Sequence, residues 1–236
     1  MDFTWNGAAA SSKGVIVTAL PPIQTAGKRD ETHMIPYRSG RLHIQDGAYE
    51  EIVKAVSVYL PYEQGGSVAA LKTLRAWLTG SGTVSFSNDP GRAYRARIVS
   101  EISWGEWVNG YEDRTAQILF ECEPFAYHTG ANDITLTAAR AVTNPGTAEA
   151  WPVIAVTGSG DITLMTGGEI ITLTGLSGTV YLDSAAEECY ALTNGARVSK
   201  NAMMSGEFPA LKPGSSQIAW TGAVSKLVIT PRWRDI

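Results

Sequence analysis

The sequence predicts a mainly β chain in two parts: a β-rich first part of α+β type with one helix, then an all-β sandwich. Three observations predict it. Apolar and polar residues alternate in short runs, as where Val56, Val58 and Leu60 are separated by Ser57 and Tyr59, and this is the period of a half-buried strand. A single segment keeps helical spacing: Val68, Leu71, Leu74, Trp77 and Leu78 fall on one face of a helix. From Asp133 onward, strand-like runs recur about every ten residues between turn signals, the pattern of a sandwich or barrel.

The elements of the first part follow in order. Phe3–Trp5 and Gly14–Leu20 read as strands, and Leu20-Pro21-Pro22 ends the second, because proline has no amide hydrogen for a ladder. A polar stretch runs from Gln24 to Arg41. Leu42–Ile44 and Ile52–Leu60 then turn apolar again. The helix spans residues 67–79. Ser67 caps its start, with a hydroxyl that accepts from a free first-turn amide, and Gly80 with Gly82 stops it. Lys72 and Arg75 lie mostly on the other side, so the helix covers a sheet with its apolar face. Strands follow at Thr83–Phe86, Tyr94–Ser103 and Arg114–Cys122. Asn88-Asp89-Pro90-Gly91 is a strong turn signal between the first two, and Asn109-Gly110 suits a tight hairpin.

A small, polar run around Tyr127–Asp133 places the domain boundary, giving domains of residues 1–129 and 130–236. The second holds short runs at Asp133–Leu136, Val153–Thr157, Asp161–Met165, Ile170–Leu173, Thr179–Leu182, Tyr190–Leu192, Gln217–Trp220 and Lys226–Pro231. Gly167-Gly168 joins the third and fourth, since glycine tolerates positive φ at both turn positions.

The 236 residues suffice for one large or two ordinary domains, and 44% hydrophobic residues supply a core. Charged residues are 18%, below the usual quarter, which suits turns, sheet surfaces and a subunit that meets neighbours. The formal net charge is −4, without the basic excess of a domain that grips nucleic acid. The N-terminus lacks the basic-then-apolar pattern of a signal peptide, and no apolar run is long enough to span a membrane. Cys122 and Cys189 lie in separate halves and read as buried free thiols of a chain made in a reducing cytoplasm.

The search for catalytic machinery finds little. His33, His43 and His128 stand without Cys or Glu at metal-ligand spacing, so no metal and no cofactor is expected. Gly80-Ser81-Gly82 and Gly158-Ser159-Gly160 lack the outer glycines of a phosphate loop and read as turns. Glu121 and Glu123 share a strand face, where they are either a glycosidase-like carboxylate pair or solvated acids at a strand end. Arg95 and Arg97 also share a face, as a phosphate track or as cross-strand partners of acids. Seven tryptophans are many for this length. Exposed ones, with Trp104 and Trp107 as candidates, would stack on sugars or anchor a protein partner.

Several phrases recur together in one family. They are FSNDPGRAYRARI (Phe86–Ile98), FECEPFAYH (Phe120–His128), GSGDITL (Gly158–Leu164), YLDSAAEECYA (Tyr181–Ala191), GEFPALKPGSSQI (Gly206–Ile218) and PRWRDI (Pro231–Ile236). With Phe3-Thr-Trp-Asn-Gly7 they cover nearly the whole chain in order, and the sequence resembles the distal tail (Dit) proteins of long-tailed siphovirus bacteriophages and prophages. The resemblance implies assembly and no enzyme activity. Six copies would form a ring by the N-terminal domain, continuing the tail tube, with a galectin-like sandwich as the C-terminal domain. The ring would sit in the tail tip or baseplate of the virion, between the tail tube protein and the tail-tip hub or tail-associated lysin. Receptor-binding proteins would stand nearby, and DNA would pass without specific binding. The chain has no room for the carbohydrate-binding modules inserted in larger relatives. It has no histidine after His128, so the galectin-like label implies shape only, and a carbohydrate- or receptor-binding module is the alternative reading. A closed ring needs a head-to-tail interface and hides sheet edges. The polar stretch Gln24–Asp46 is therefore expected to reach a neighbouring subunit, with Lys28, Arg29, Asp30, Glu31, His33, Arg38 and Arg41 as interface candidates.

Overall fold

The structure, a computed structural model, describes residues 1–61, 68–105 and 114–236. Ser67, Glu106, Trp107 and Asn109-Gly110 lie outside the described residues. The fold is mainly β, with one α-helix among the described residues. It divides into two compact units, Met1–Ala126 with Ile236, and Tyr127–Asp235.

In the first unit the strands are β1 (Phe3–Trp5), β2 (Ala8–Ala9), β3 (Ile16–Ala19), β4 (Lys28–His33), β5 (Leu42–Tyr49) and β6 (Ile52–Leu60). Helix α1 (Val68–Trp77) follows, then β7 (Gly80–Phe86), β8 (Arg92–Ile98) and β9 (Arg114–His128). The main sheet has the order β2-β1-β7-β8-β9-β6-β3, while, among the described residues, β4 and β5 pair only with each other. Alternation does what it predicts in β6: Ile52, Val56, Val58 and Leu60 are buried and their neighbours are not. Leu71, Leu74 and Leu78 of the helix segment join Phe3, Trp5, Phe86 and Phe120 in one core. Two reciprocal hydrogen bonds fix helix to strand: the Trp5 indole donates to the Trp77 carbonyl at 3.0 Å, and the Trp77 indole to the Trp5 carbonyl at 3.3 Å. The strand expected over Tyr94–Ser103 stops at Ile98, and β9 continues past Cys122 to His128.

The second unit contains β10 (Ile134–Leu136), β11 (Arg140–Asn144), β12 (Val153–Thr166), β13 (Glu169–Asp183), β14 (Glu188–Thr193), β15 (Ala196–Ser199), β16 (Met204–Ser205), β17 (Gly214–Thr230) and β18 (Arg234–Asp235). Here the expected succession of short strands is corrected. Val153–Thr157 and Asp161–Met165 are one strand, β12; Ile170–Leu173 and Thr179–Leu182 are one strand, β13; Gln217–Trp220 and most of Lys226–Pro231 are one strand, β17. Gly167-Gly168 does turn β12 into β13, with φ of 60° and 107°.

Neither glycine pair that read as a turn is one, and Gly158-Ser159-Gly160 instead marks where a long strand bulges. Gly158-Ser159-Gly160 lies inside β12 and Gly80-Ser81-Gly82 inside β7. A Cβ on Gly158 would stand 2.3 Å from the Ala223 carbonyl oxygen, and one on Gly222 (φ +92°) 2.4 Å from that of Asp161. On β13 the partners step from Gly160↔Leu176 to Ile162↔Leu173, two residues against three. That extra residue flips which side chains face inward: Ile171 and Leu173 before it, Leu176, Val180 and Leu182 after it. Bulges of this kind bend and twist a strand. Both halves of each strand thus supply one core, with Ile154, Val156, Ile162 and Leu164 from β12 and Ile218, Leu227 and Ile229 from β17.

Candidate functional site

The seven residues named as interface candidates all belong to the β4–β5 hairpin. Lys28, Arg29, Asp30, Glu31 and His33 are on β4, and Arg38 and Arg41 are in the connection to β5. The register runs from Lys28↔Tyr49 to His33↔Leu42, with a shift between Lys28 and Asp30. Every residue from 27 to 47 is exposed.

Ionic contacts run along and across the ribbon. Arg29 pairs with Asp46. Their hydrogen bond and mutual charge hold the arginine above its ordinary pKa and, led by the same hydrogen bond, the Asp46 carboxyl below its own. His43 Nδ1 lies 2.7 Å from Asp30 and His33 Nε2 lies 3.0 Å from Glu31. Among the described residues, the side chains of Lys28, Arg38 and Arg41 have no ionic partner. The segment from Gln24 to Asp46 carries four basic and three acidic side chains, a small positive excess in an acidic chain. Its tip also exposes Met34 and Tyr37.

The charged residues of the main sheet answer a different question. Arg95 lies 3.8 Å from Glu123, and Arg97 lies 2.9 Å from both Glu51 and Glu121. Glu121 and Glu123 do share the outer face of β9, and arginines stand opposite both. These are the cross-strand pairs weighed against a phosphate track. Trp104 is partly buried against the first core.

Several polar groups that alternation could not flag are buried beneath the sheets. Lys54 sits in the inward row of β6, 2% exposed, its ammonium 4.3 Å from the centroid of the Tyr94 ring. Burial lowers its pKa, as desolvation does for any cation. The Tyr94 hydroxyl donates to Asp89 at 2.5 Å, so the Asn88–Gly91 turn is tied down by the strand it feeds. Burial raises the Tyr94 pKa, with the Asp89 hydrogen bond second. Cys122 and Cys189 are free and buried, and burial pushes the Cys122 thiol up to about 12. Among the described residues, no group of histidines, cysteines and carboxylates is placed to hold a metal ion. No helix is long and apolar enough to cross a membrane.

No protein-family model matches the chain, and no curated protein sequence matches it. Its structure is similar to the crystal structure of Dit (gp 19.1) of phage SPP1, described as a paradigm of the hub adsorption apparatus in phages that infect Gram-positive bacteria. The TM-score is 0.76 over 100% of this chain and 99% of that one, at 16% sequence identity. The chain therefore has the fold of that distal tail protein from end to end.

Proposed function

We propose that the chain is a structural ring component of a phage tail tip. Six copies close head to tail, join the tail tube protein to the tail-tip hub or tail-associated lysin, and leave a channel for DNA. The observation that carries this reading is the full-length likeness to SPP1 Dit, a paradigm of the hub adsorption apparatus. The second unit then supplies a galectin-like body beside which receptor-binding proteins attach.

The β4–β5 hairpin supports the reading on physical grounds. A two-stranded ribbon by itself is at best marginally stable in water, and among the described residues this one pairs with no other strand. Its tip concentrates Met34, Tyr37, Arg38 and Arg41, and methionine, tyrosine and arginine are the types enriched at protein interfaces. A positive arm on an acidic chain also fits the surface of a second copy, and a closing rotation turns that contact into a ring. The acidic balance leaves DNA ungripped as it passes.

Negative-stain images of concentrated protein test the reading. Particles with a central hole and six-fold outline are expected. Solitary particles, even after mixing with the hub protein of the same virion, would overturn it.

A further inference from the structure

Two hairpins of the molecule end in the same turn. In the first unit, Asn6-Gly7 joins β1 to β2 between the facing residues Trp5 and Ala8, with φ of 49° and 80°. In the second, Asn194-Gly195 joins β14 to β15 between Thr193 and Ala196, with φ of 52° and 78°. Positive φ at both central residues marks a type I′ turn, which selects this dipeptide. Both asparagines are exposed. The third Asn-Gly of the chain, Asn109-Gly110, lies outside the described residues.

The two side chains are held differently. Asn6 is bound twice to β7. Its backbone amide donates to the Thr83 carbonyl at 2.9 Å, and its side-chain Oδ1 accepts from the Thr83 amide at 2.9 Å. The side-chain amide lies over Gly82, where a Cβ would stand 2.5 Å from Asn6 Cγ and Nδ2. Turning this side chain away gives up the hydrogen bond and leaves the Thr83 amide without that acceptor. Nothing comparable holds Asn194, whose side chain has no hydrogen-bond partner among the described residues. The strand it leads into, β15, pairs there only with β14, and all four of its residues are exposed.

This contrast decides a reaction that the sequence permits at both turns. A glycine after asparagine leaves the next backbone nitrogen unshielded by a Cβ. That nitrogen attacks the asparagine Cγ, the Cγ–Nδ2 bond breaks, and ammonia leaves with the proton of the attacking nitrogen. The five-membered imide then takes up water at either of its carbonyls and opens to aspartate or isoaspartate. Water is the only co-reactant. The side chain must swing onto its own backbone before the ring closes, so one that is free to turn reacts faster than one that is clamped.

We infer that Asn194 is a site of spontaneous amide hydrolysis in the folded protein, and that its clamp on Thr83 protects Asn6. The change at Asn194 takes the formal net charge from −4 to −5. As isoaspartate it also adds a methylene to the backbone of a two-residue turn. β15 contributes no buried side chain, so the second core keeps its packing when that turn is altered. The inference stands whether or not six copies close into a ring.

The test is to hold the unaltered chain in mildly alkaline buffer at body temperature. Digestion and mass spectrometry then follow the conversion of each site to the acid and its isoaspartyl isomer. Asn194 is expected to convert at least about fivefold faster than Asn6, the ratio that one hydrogen bond supports. In concentrated urea, with the fold removed, the two rates should converge. Gly82→Ala supplies the sharpest arm. Gly82 is outside the left-handed region, so alanine fits its backbone, and the new methyl displaces the Asn6 amide. Asn6 should then convert about fivefold faster than in the unaltered chain, while an unchanged rate at Asn194 reports that the variant is folded. Equal rates at the two sites in the folded chain would overturn the inference. So would an Asn6 that stays slow in urea, an Asn6 indifferent to Gly82→Ala, or an Asn194 that reacts in urea and stays intact in the folded chain.

Discussion

The hairpin of β4 and β5 and the hairpin of β12 and β13 are built alike, from two antiparallel strands and a turn, yet they end in opposite surroundings. Every residue of β4 is exposed. In β12 and β13 the inward rows, Ile154, Val156, Ile162, Leu164, Ile171 and Leu173, are fully buried. Ladder hydrogen bonds are common to both, so they do not decide the difference. The side-chain pattern does. Apolar residues on one face commit β12 and β13 to a core, whereas Lys28 to His33 has no apolar face to commit. On our proposal such a ribbon is left for a neighbouring copy, so that one region carries stability and the other assembly.

The largest effect should come from the buried hairpin. Leu164→Ala is expected to cost about 2–5 kcal/mol, as large-to-small core changes do. Leu42→Ala on β5, where the side chain is 40% exposed, should stay within about 0.5 kcal/mol. Urea unfolding of both variants breaks the comparison if the two losses are alike. Gly222→Ala comes next. Its Cβ would meet the Asp161 carbonyl, and its φ of +92° is strained for alanine, so a loss of about 1–3 kcal/mol is expected. A midpoint equal to that of the unaltered chain would deny the bulge its role in shaping the second core.

Alkaline pH separates a buried group from exposed ones. Burial pushes the folded Cys122 thiol up to about 12 from its ordinary value of 9.0. Its contribution to stability is therefore complete below pH 9.0 and is lost as pH rises toward 12, because only the unfolded chain ionises in that window. At pH 10 this amounts to about 1 kcal/mol. Tyr94, raised in the same direction, adds to the loss above its ordinary pKa. Cys122→Ala should show a smaller drop between pH 7.5 and 10 than the unaltered chain, whatever its cost at neutral pH. An equal drop in both would contradict the sign. The smallest effect on folding belongs to Arg29→Ala. Both members of the Arg29–Asp46 pair are exposed, and the unfolding midpoint should not move. The same change should weaken association, which sedimentation reads directly.

The legibility of the sequence followed the same division. Val56, Val58 and Leu60 announced β6, and Leu71, Leu74 and Leu78 announced the covering helix, because in both the period is set by one buried face. Gly158 and Gly160 announced a turn and were a bulge, since the carbonyl of Ala223 that requires a bare backbone lies far along the chain. Arg140–Asn144 and Ala196–Ser199 were missed. The second carries no buried side chain, though Asn194-Gly195 before it was a readable hairpin signal. The stretch Gln24–Asp46 was expected to reach a neighbouring subunit; β4 was invisible for want of alternation, and the apolar run Leu42–Ile44 marked only the start of β5. The phrases from Tyr181 to Ala191 and from Gly206 to Ile218 stood out in the sequence, but only the pairing of strands shows that they converge.

The central claim is that the β4–β5 hairpin carries assembly without carrying the fold. Light scattering on the chain with and without residues 24–46 tests it most directly. The account predicts a six-copy mass for the intact chain at high concentration, and a single-copy mass with an unchanged unfolding midpoint for the shortened one. A six-copy particle from the shortened chain, or an intact chain that stays single at every concentration, would contradict it.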